Sequence, residues 1–199
     1  MATSATPYGL KPIGLIGGQS YAGSTRQIKI ASAYDTNIFT GSIVSIVAAG
    51  TLEIVTTIGS NASQFPAGTI GVFMGCSYTD PSTSQKTFKQ YWPADTAASD
   101  AVGYIVDDPD VLFMAQADAT VAQTALGINC PLAAVQSTST GSTTTGNSTS
   151  AVDATVAVTT GIAFRIVDFV DSPTSTVGDT YTDLVVKFNN HSYYNPVGI

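Results

Sequence analysis

Few residues of this chain can do chemistry, and their spacing limits what they could do. His191 is the sole imidazole, Glu53 the sole glutamate and Trp92 the sole indole among 199 residues. Ser192 follows His191, a nominal nucleophile beside a base. Neighbours on an extended chain point to opposite faces, so this pair cannot converge as a Ser–His–acid triad requires. No G-x-S-x-G elbow occurs. One histidine and two distant cysteines, Cys76 and Cys130, fall short of a four-ligand zinc set. Both cysteines sit in apolar sequence, which predicts buried free thiols. A bridge between them is the alternative, although no framework of several cysteines calls for one.

Asp107, Asp108 and Asp110 are the densest acidic group and suggest a calcium site, since hard cations take carboxylate oxygens. They lack the glycine and bidentate glutamate of a twelve-residue calcium loop. A turn around Pro109 is the better reading, because Asp side chains bond nearby backbone N–H groups in turns. The glycines of residues 14–18 (GLIGG) lack the G-x-G-x-x-G spacing of a dinucleotide loop and any helical pattern behind them. These residues lead us to expect no catalytic group, no metal site and no cofactor.

Composition agrees. Only 11% of residues are charged, against about 25% in an average domain. Ser and Thr supply most of the polarity, roughly a quarter of the chain. Enzymes draw on converging acids, bases and nucleophiles, so a non-enzyme is expected. The net charge is −7 and the seven basic residues are scattered, so direct nucleic-acid binding is not expected. No basic stretch followed by an apolar one opens the chain, and no apolar run reaches about 18 residues. Neither secretion nor a membrane span is expected, and a cytosol-like compartment is.

The elements that would position these residues read as strands. Val, Ile, Ala, Tyr and Phe dominate the apolar set and good helix formers are scarce, which favours an all-β protein. Residues 26–31 alternate polar and apolar. Residues 42–47 and 51–56 flank Ala48-Ala49-Gly50 as a hairpin. Residues 69–78 form a long strand in which Gly71 and Gly75 mark bends or bulges. Residues 85–92, 101–106, 111–117, 162–170 and 182–189 read as further strands, with a short apolar segment at 132–136. One short helix is expected over 119–126, capped by Asp118 and ended by Gly127. The pattern predicts a compact β-sandwich or β-barrel with that single helix and extended ends.

We divide the chain into an extended N-terminal arm (1–18), one β-rich domain (19–189) and an extended C-terminal tail (190–199). Within the arm, residues 12–18 could pair at a sheet edge. Within the domain, residues 137–150 (STSTGSTTTGNSTS) are either a mobile loop or one docked on a partner. Asn61, Asn147 and Asn190 head N-x-[ST] triplets that carry no glycan without secretion. Tyr8 in the arm and Tyr193-Tyr194 in the tail read as binding residues, since Tyr is enriched at interfaces and extended termini can add to a neighbour's sheet.

Three segments together resemble a known family: TPYGLKPIG (6–14) with YAGSTR (21–26), DDPDVLF (107–113) with Gln116, and LVVKFNNHSY (184–193). In order and spacing they are similar to the capsid decoration, or cement, proteins of tailed bacteriophages, especially marine and cyanobacterial ones. The long hydroxyl-rich loop departs from that pattern. The resemblance implies a β-rich structural virion protein, made in the host cytoplasm and placed on the outer capsid surface. Its partner would be the major capsid protein, whose shell it would stabilise, and no catalytic residue is implied. It would be a homo-oligomer, a trimer on the local threefold positions or, next, a dimer. Tyr8, Leu10, Pro12, Tyr21, His191, Tyr193 and Tyr194 are the expected capsid or oligomer contacts. Deleting residues 1–14 is expected to leave the core folded and weaken binding. The alternative is a head-fibre or receptor-binding module, with Phe88, Tyr91 and Trp92 lining a sugar groove.

Overall fold

Branched and aromatic side chains that pack on a pleated surface make nearly all of the regular structure strand. The computed structural model describes residues 4–56 and 65–194. Among these the strands are β1 (Lys11–Leu15), β2 (Arg26–Lys29), β3 (Ile38–Phe39), β4 (Ile43–Ile46), β5 (Leu52–Ile54), β6 (Thr69–Thr79), β7 (Lys86–Lys89), β8 (Tyr91–Trp92), β9 (Val102–Val106), β10 (Val111–Gln116), β11 (Asn129–Cys130), β12 (Phe164–Phe169) and β13 (Asp183–Phe188). They form three packed antiparallel sheets, ordered β1-β10-β13-β12-β11, β2-β9-β6-β4-β5 with β7 also on β6, and β3-β8. The expected all-β class is what the chain adopts.

Two apolar cores result. The larger lies between the first two sheets, where Phe113, Phe164, Leu184, Val186 and Phe188 of the first meet Ile43, Val72 and Val106 of the second. The smaller lies within the second sheet, which curls until the chain after β2 reaches β5 through a bridge between Ile30 and Leu52. Phe73, Tyr78 and Ile105 fill it from that sheet, and Ile38 and Trp92 close it from the third. Burying each such large side chain contributes about 1.5–3 kcal/mol.

Strand β6 serves both cores because its alternation slips twice. Ile70 faces the small core and Val72 the large one, two residues apart, which a regular strand forbids. The register shifts opposite Gly71 and Gly75, which stand at φ +148° and +137°. These are the bulges expected at the two glycines. A Cβ at Gly71 would lie 1.9 Å from the Val106 carbonyl oxygen, so only glycine fits.

The structure corrects several local expectations. No α-helix forms over 119–126; a 3-10 turn, Gln123–Ala125, stands there. The Asp118 carboxylate is taken instead by the Ala154 N–H at 2.9 Å. Residues 85–92 break into β7 and β8 at Gln90. Residues 132–136 form no strand, only a bridge from Leu132 to Val152. Residues 137–150 are tied to their own chain by backbone hydrogen bonds. Thr40 N–H donates to the Gly146 carbonyl, and Ser148 N–H donates to Thr40.

Neither end is a free arm over its described residues. Leu10 is 1% exposed in the larger core, because its side chain is apolar and its N–H is held by the Gly41 carbonyl. Lys11–Leu15 then pairs with β10 at the sheet edge, where Pro12 costs no ladder bond and the register slips past Ile13. At the other end, residues 192–194 make a 3-10 turn rather than an extended tail. Residues 195–199 lie outside the described residues.

Candidate functional site

The site is built on the turn joining β9 to β10, where the chain passes from the second sheet to the first. Asp108 Oδ1 accepts from the Asp110 N–H at 2.9 Å, the local bond expected of Asp in a Pro-containing turn. The turn thereby aims Asp107 and Asp110 at the C-terminal segment. Tyr193 donates its hydroxyl to Asp107 Oδ2 at 2.8 Å, and Arg26 pairs with the same oxygen at 2.8 Å. Tyr194 donates to Asp110 Oδ1 at 2.9 Å, and Lys187 pairs with that oxygen at 2.7 Å. Each cation also lies over its tyrosine ring, Arg26 at 5.4 Å from the Tyr193 centroid and Lys187 at 5.6 Å from that of Tyr194.

A third arrangement of the same kind holds the N-terminal segment. Tyr8 donates to Asp183 Oδ1 at 3.0 Å while Lys11 sits 4.1 Å from the Tyr8 ring centroid. Beside it the Thr6 N–H donates to Gln116 Oε1 at 2.9 Å. A tyrosine bonded to an aspartate with a cation over its ring thus recurs as a clamp at Tyr8–Asp183–Lys11, Tyr193–Asp107–Arg26 and Tyr194–Asp110–Lys187, and in the last two the cation also pairs with the aspartate. Exposed ion pairs contribute about 0–1 kcal/mol each, so the clamps position the ends more than they stabilise the core. The first clamp lies at the Gln116 end of β10 and the third at its Asp110 end, the strand spanning about 20 Å between them.

Electrostatics follow from these contacts. The Lys187 ammonium, and then the Tyr194 hydroxyl, hold the Asp110 carboxyl below the usual carboxylate range. Burial, then the Asp183 charge, pushes the Tyr8 phenol far above its ordinary value. Burial likewise pushes both cysteine thiols up to about 12, which leaves them unreactive. Cys76 and Cys130 are buried, unpaired and in different cores, so they form no bridge.

The expected contact residues divide. Tyr21 is half-buried against the larger core and donates its hydroxyl to the Ser24 carbonyl at 2.7 Å; burial, then the Asp107 charge, raises its phenol. Tyr193 and Tyr194 are 48% and 53% exposed at the 107–110 turn, and Ile16, whose N–H donates to the Asp110 carbonyl, is 53% exposed. Pro12 is half-buried in β1. Leu10 and His191 are buried, at 1% and 2% exposure, so neither offers a surface to a partner. Sequence reading marked the tyrosines but missed the clamps, whose members lie 175, 86 and 84 residues apart with no local signal.

Trp92 is fully buried, donating its indole N–H to the Tyr34 carbonyl at 3.3 Å. Tyr91 stacks on Phe39, and Phe88 alone projects, at 71% exposure. The expected sugar groove of these three is not formed. Among the described residues no group of three His, Cys, Asp or Glu could hold a metal ion, and no helix is long and apolar enough to cross a membrane. No protein-family model, curated protein or solved structure matches the chain.

Proposed function

We propose that this chain is a capsid decoration protein, a structural virion component that binds the outer surface of the major capsid protein shell and stabilises it. The observation that carries the reading is the Ile16–Tyr193–Tyr194 patch, exposed yet hydrogen-bonded to the turn at 107–110. Tyrosine gives large contact area, and a contact ordered before binding loses little freedom on binding. Residues 21–26, 107–113 and 184–193, three of the stretches that resemble decoration proteins, carry the Tyr193–Asp107–Arg26 clamp beside this patch. Assembly as a trimer, or next as a dimer, would multiply weak contacts into tight attachment.

The test is binding of the purified chain to undecorated shells. Tyr193→Ala with Tyr194→Ala is expected to weaken binding at least about tenfold, the loss of one interfacial aromatic anchor or more. The melting curve should change little. Unchanged affinity with the fold intact would exclude this patch as the contact.

A further inference from the structure

The C-terminal segment is closed by a histidine placed where its charge would break the closure. His191 Nε2 lies 2.7 Å from the Ile70 carbonyl oxygen, while Nδ1 accepts from the Tyr193 backbone N–H at 3.2 Å. A carbonyl only accepts and a backbone N–H only donates, so the closed form requires the neutral ring protonated on Nε2. We propose that residues 191–194 are an acid-opened latch: a proton taken from solvent onto His191 Nδ1 turns the Tyr193 contact into two facing donors and frees the segment. Both tyrosines then leave their carboxylates, so Asp107 keeps Arg26 and Asp110 keeps Lys187 as partners.

The surroundings decide the direction. Asp107 and Asp108 on the β9–β10 turn favour the charged ring, as does the Ile70 carbonyl, while Arg26 of β2 opposes it. The rings of Phe188, Tyr193 and Tyr194 enclose the imidazole at centroid distances of 6.2, 5.0 and 6.3 Å. Asp110 and Lys187, the remaining charged groups of the clamp, neutralise one another at 2.7 Å. Burial outweighs the carboxylates and holds the imidazole below its ordinary 6.5. The neutral ring is favoured in the closed form, so the closure is complete above pH 6.5 and weakens as pH falls from there through the folded value.

The inference stands apart from the capsid reading, since its test uses the isolated chain. His191 is the only histidine, so its imidazole signals need no mutant for assignment in an NMR titration. The expected midpoint lies below 6.5, and the Tyr193 and Tyr194 amide signals move with it. Amide exchange at Tyr193 and Tyr194, corrected for intrinsic chemistry, should rise about tenfold from pH 7.5 to pH 5. In His191→Gln, which cannot take the proton, that pH dependence should vanish. A midpoint at or above 6.5, tail amides that ignore the titration, or the same exchange profile in His191→Gln would each overturn the latch. Opening retained in the glutamine variant would assign it to the carboxylates of the turn.

Discussion

The side-chain amide of Gln136 pairs with both backbone groups of Ile43, its Oε1 accepting from the N–H at 2.8 Å and its Nε2 donating to the carbonyl at 2.9 Å. The same Nε2 reaches the Val55 carbonyl at 3.2 Å, and Ser150 donates its hydroxyl to Oε1 at 3.3 Å. One side chain thus copies a strand's hydrogen bonds and ties the hydroxyl-rich loop to β4. Gln136 is 1% exposed, so removing the amide leaves the Ile43 N–H without its partner away from water. Gln136→Leu should destabilise the fold by about 3 kcal/mol, read as a lowered urea midpoint. A midpoint within experimental error of wild type would show that the loop is held by other contacts.

Gly71 and Gly75 let β6 turn its side chains from one core to the other. Gly71→Ala meets the Val106 carbonyl oxygen and should destabilise by roughly 3 kcal/mol or more, or prevent folding. Gly17→Ala, where a Cβ would meet nothing within 4 Å, is the matched control and should fall within about 0.5 kcal/mol of wild type. Circular-dichroism melts of the pair decide the matter, and equal behaviour would count against the bulge geometry.

The N-terminal segment belongs to the fold, so deleting residues 1–14 should unfold or strongly destabilise the chain, against the sequence expectation. Tyr8→Phe is the finer test, costing about 1 kcal/mol for the lost bond to Asp183. The Tyr8 phenol is raised above the ordinary 10.0, so the fold favours its protonated form. That contribution is full below pH 10 and lost as pH rises beyond it. In an ultraviolet titration the wild type should therefore show one tyrosine ionising later than in Tyr8→Phe.

Burial of Trp92 beneath Tyr78 predicts blue-shifted emission that acrylamide quenches poorly and that no added sugar alters. A red emission that shifts with glycans would restore the receptor-binding alternative and its groove.

Much of the fold was legible because it was local. The 42–56 hairpin, the long strand at 69–78 and its two glycine bulges follow from alternation and turn chemistry within a few residues. What failed was decided at long range. Asp118 looked like a helix cap, yet Ala154, 36 residues on, takes its carboxylate. The run QKTFKQYW looked continuous, yet Trp92 turns inward to pair with Ile38. The loop at 137–150 had a readable composition, whereas its anchor, Gln136, meets β4 93 residues away. His191 looked like a contact residue, and only its bond to the Ile70 carbonyl, 121 residues earlier, shows a ring held in the interior.

Attachment to a phage shell is the central proposal, and a density map of intact tailed-phage particles assembled in the presence of this chain is its most direct test. Copies of the chain are expected in a regular lattice on the outer face of the major capsid protein, with the Ile16–Tyr193–Tyr194 patch against the shell or a neighbouring copy. A chain confined to a few copies on a fibre or tail, or missing from the particle, would contradict it.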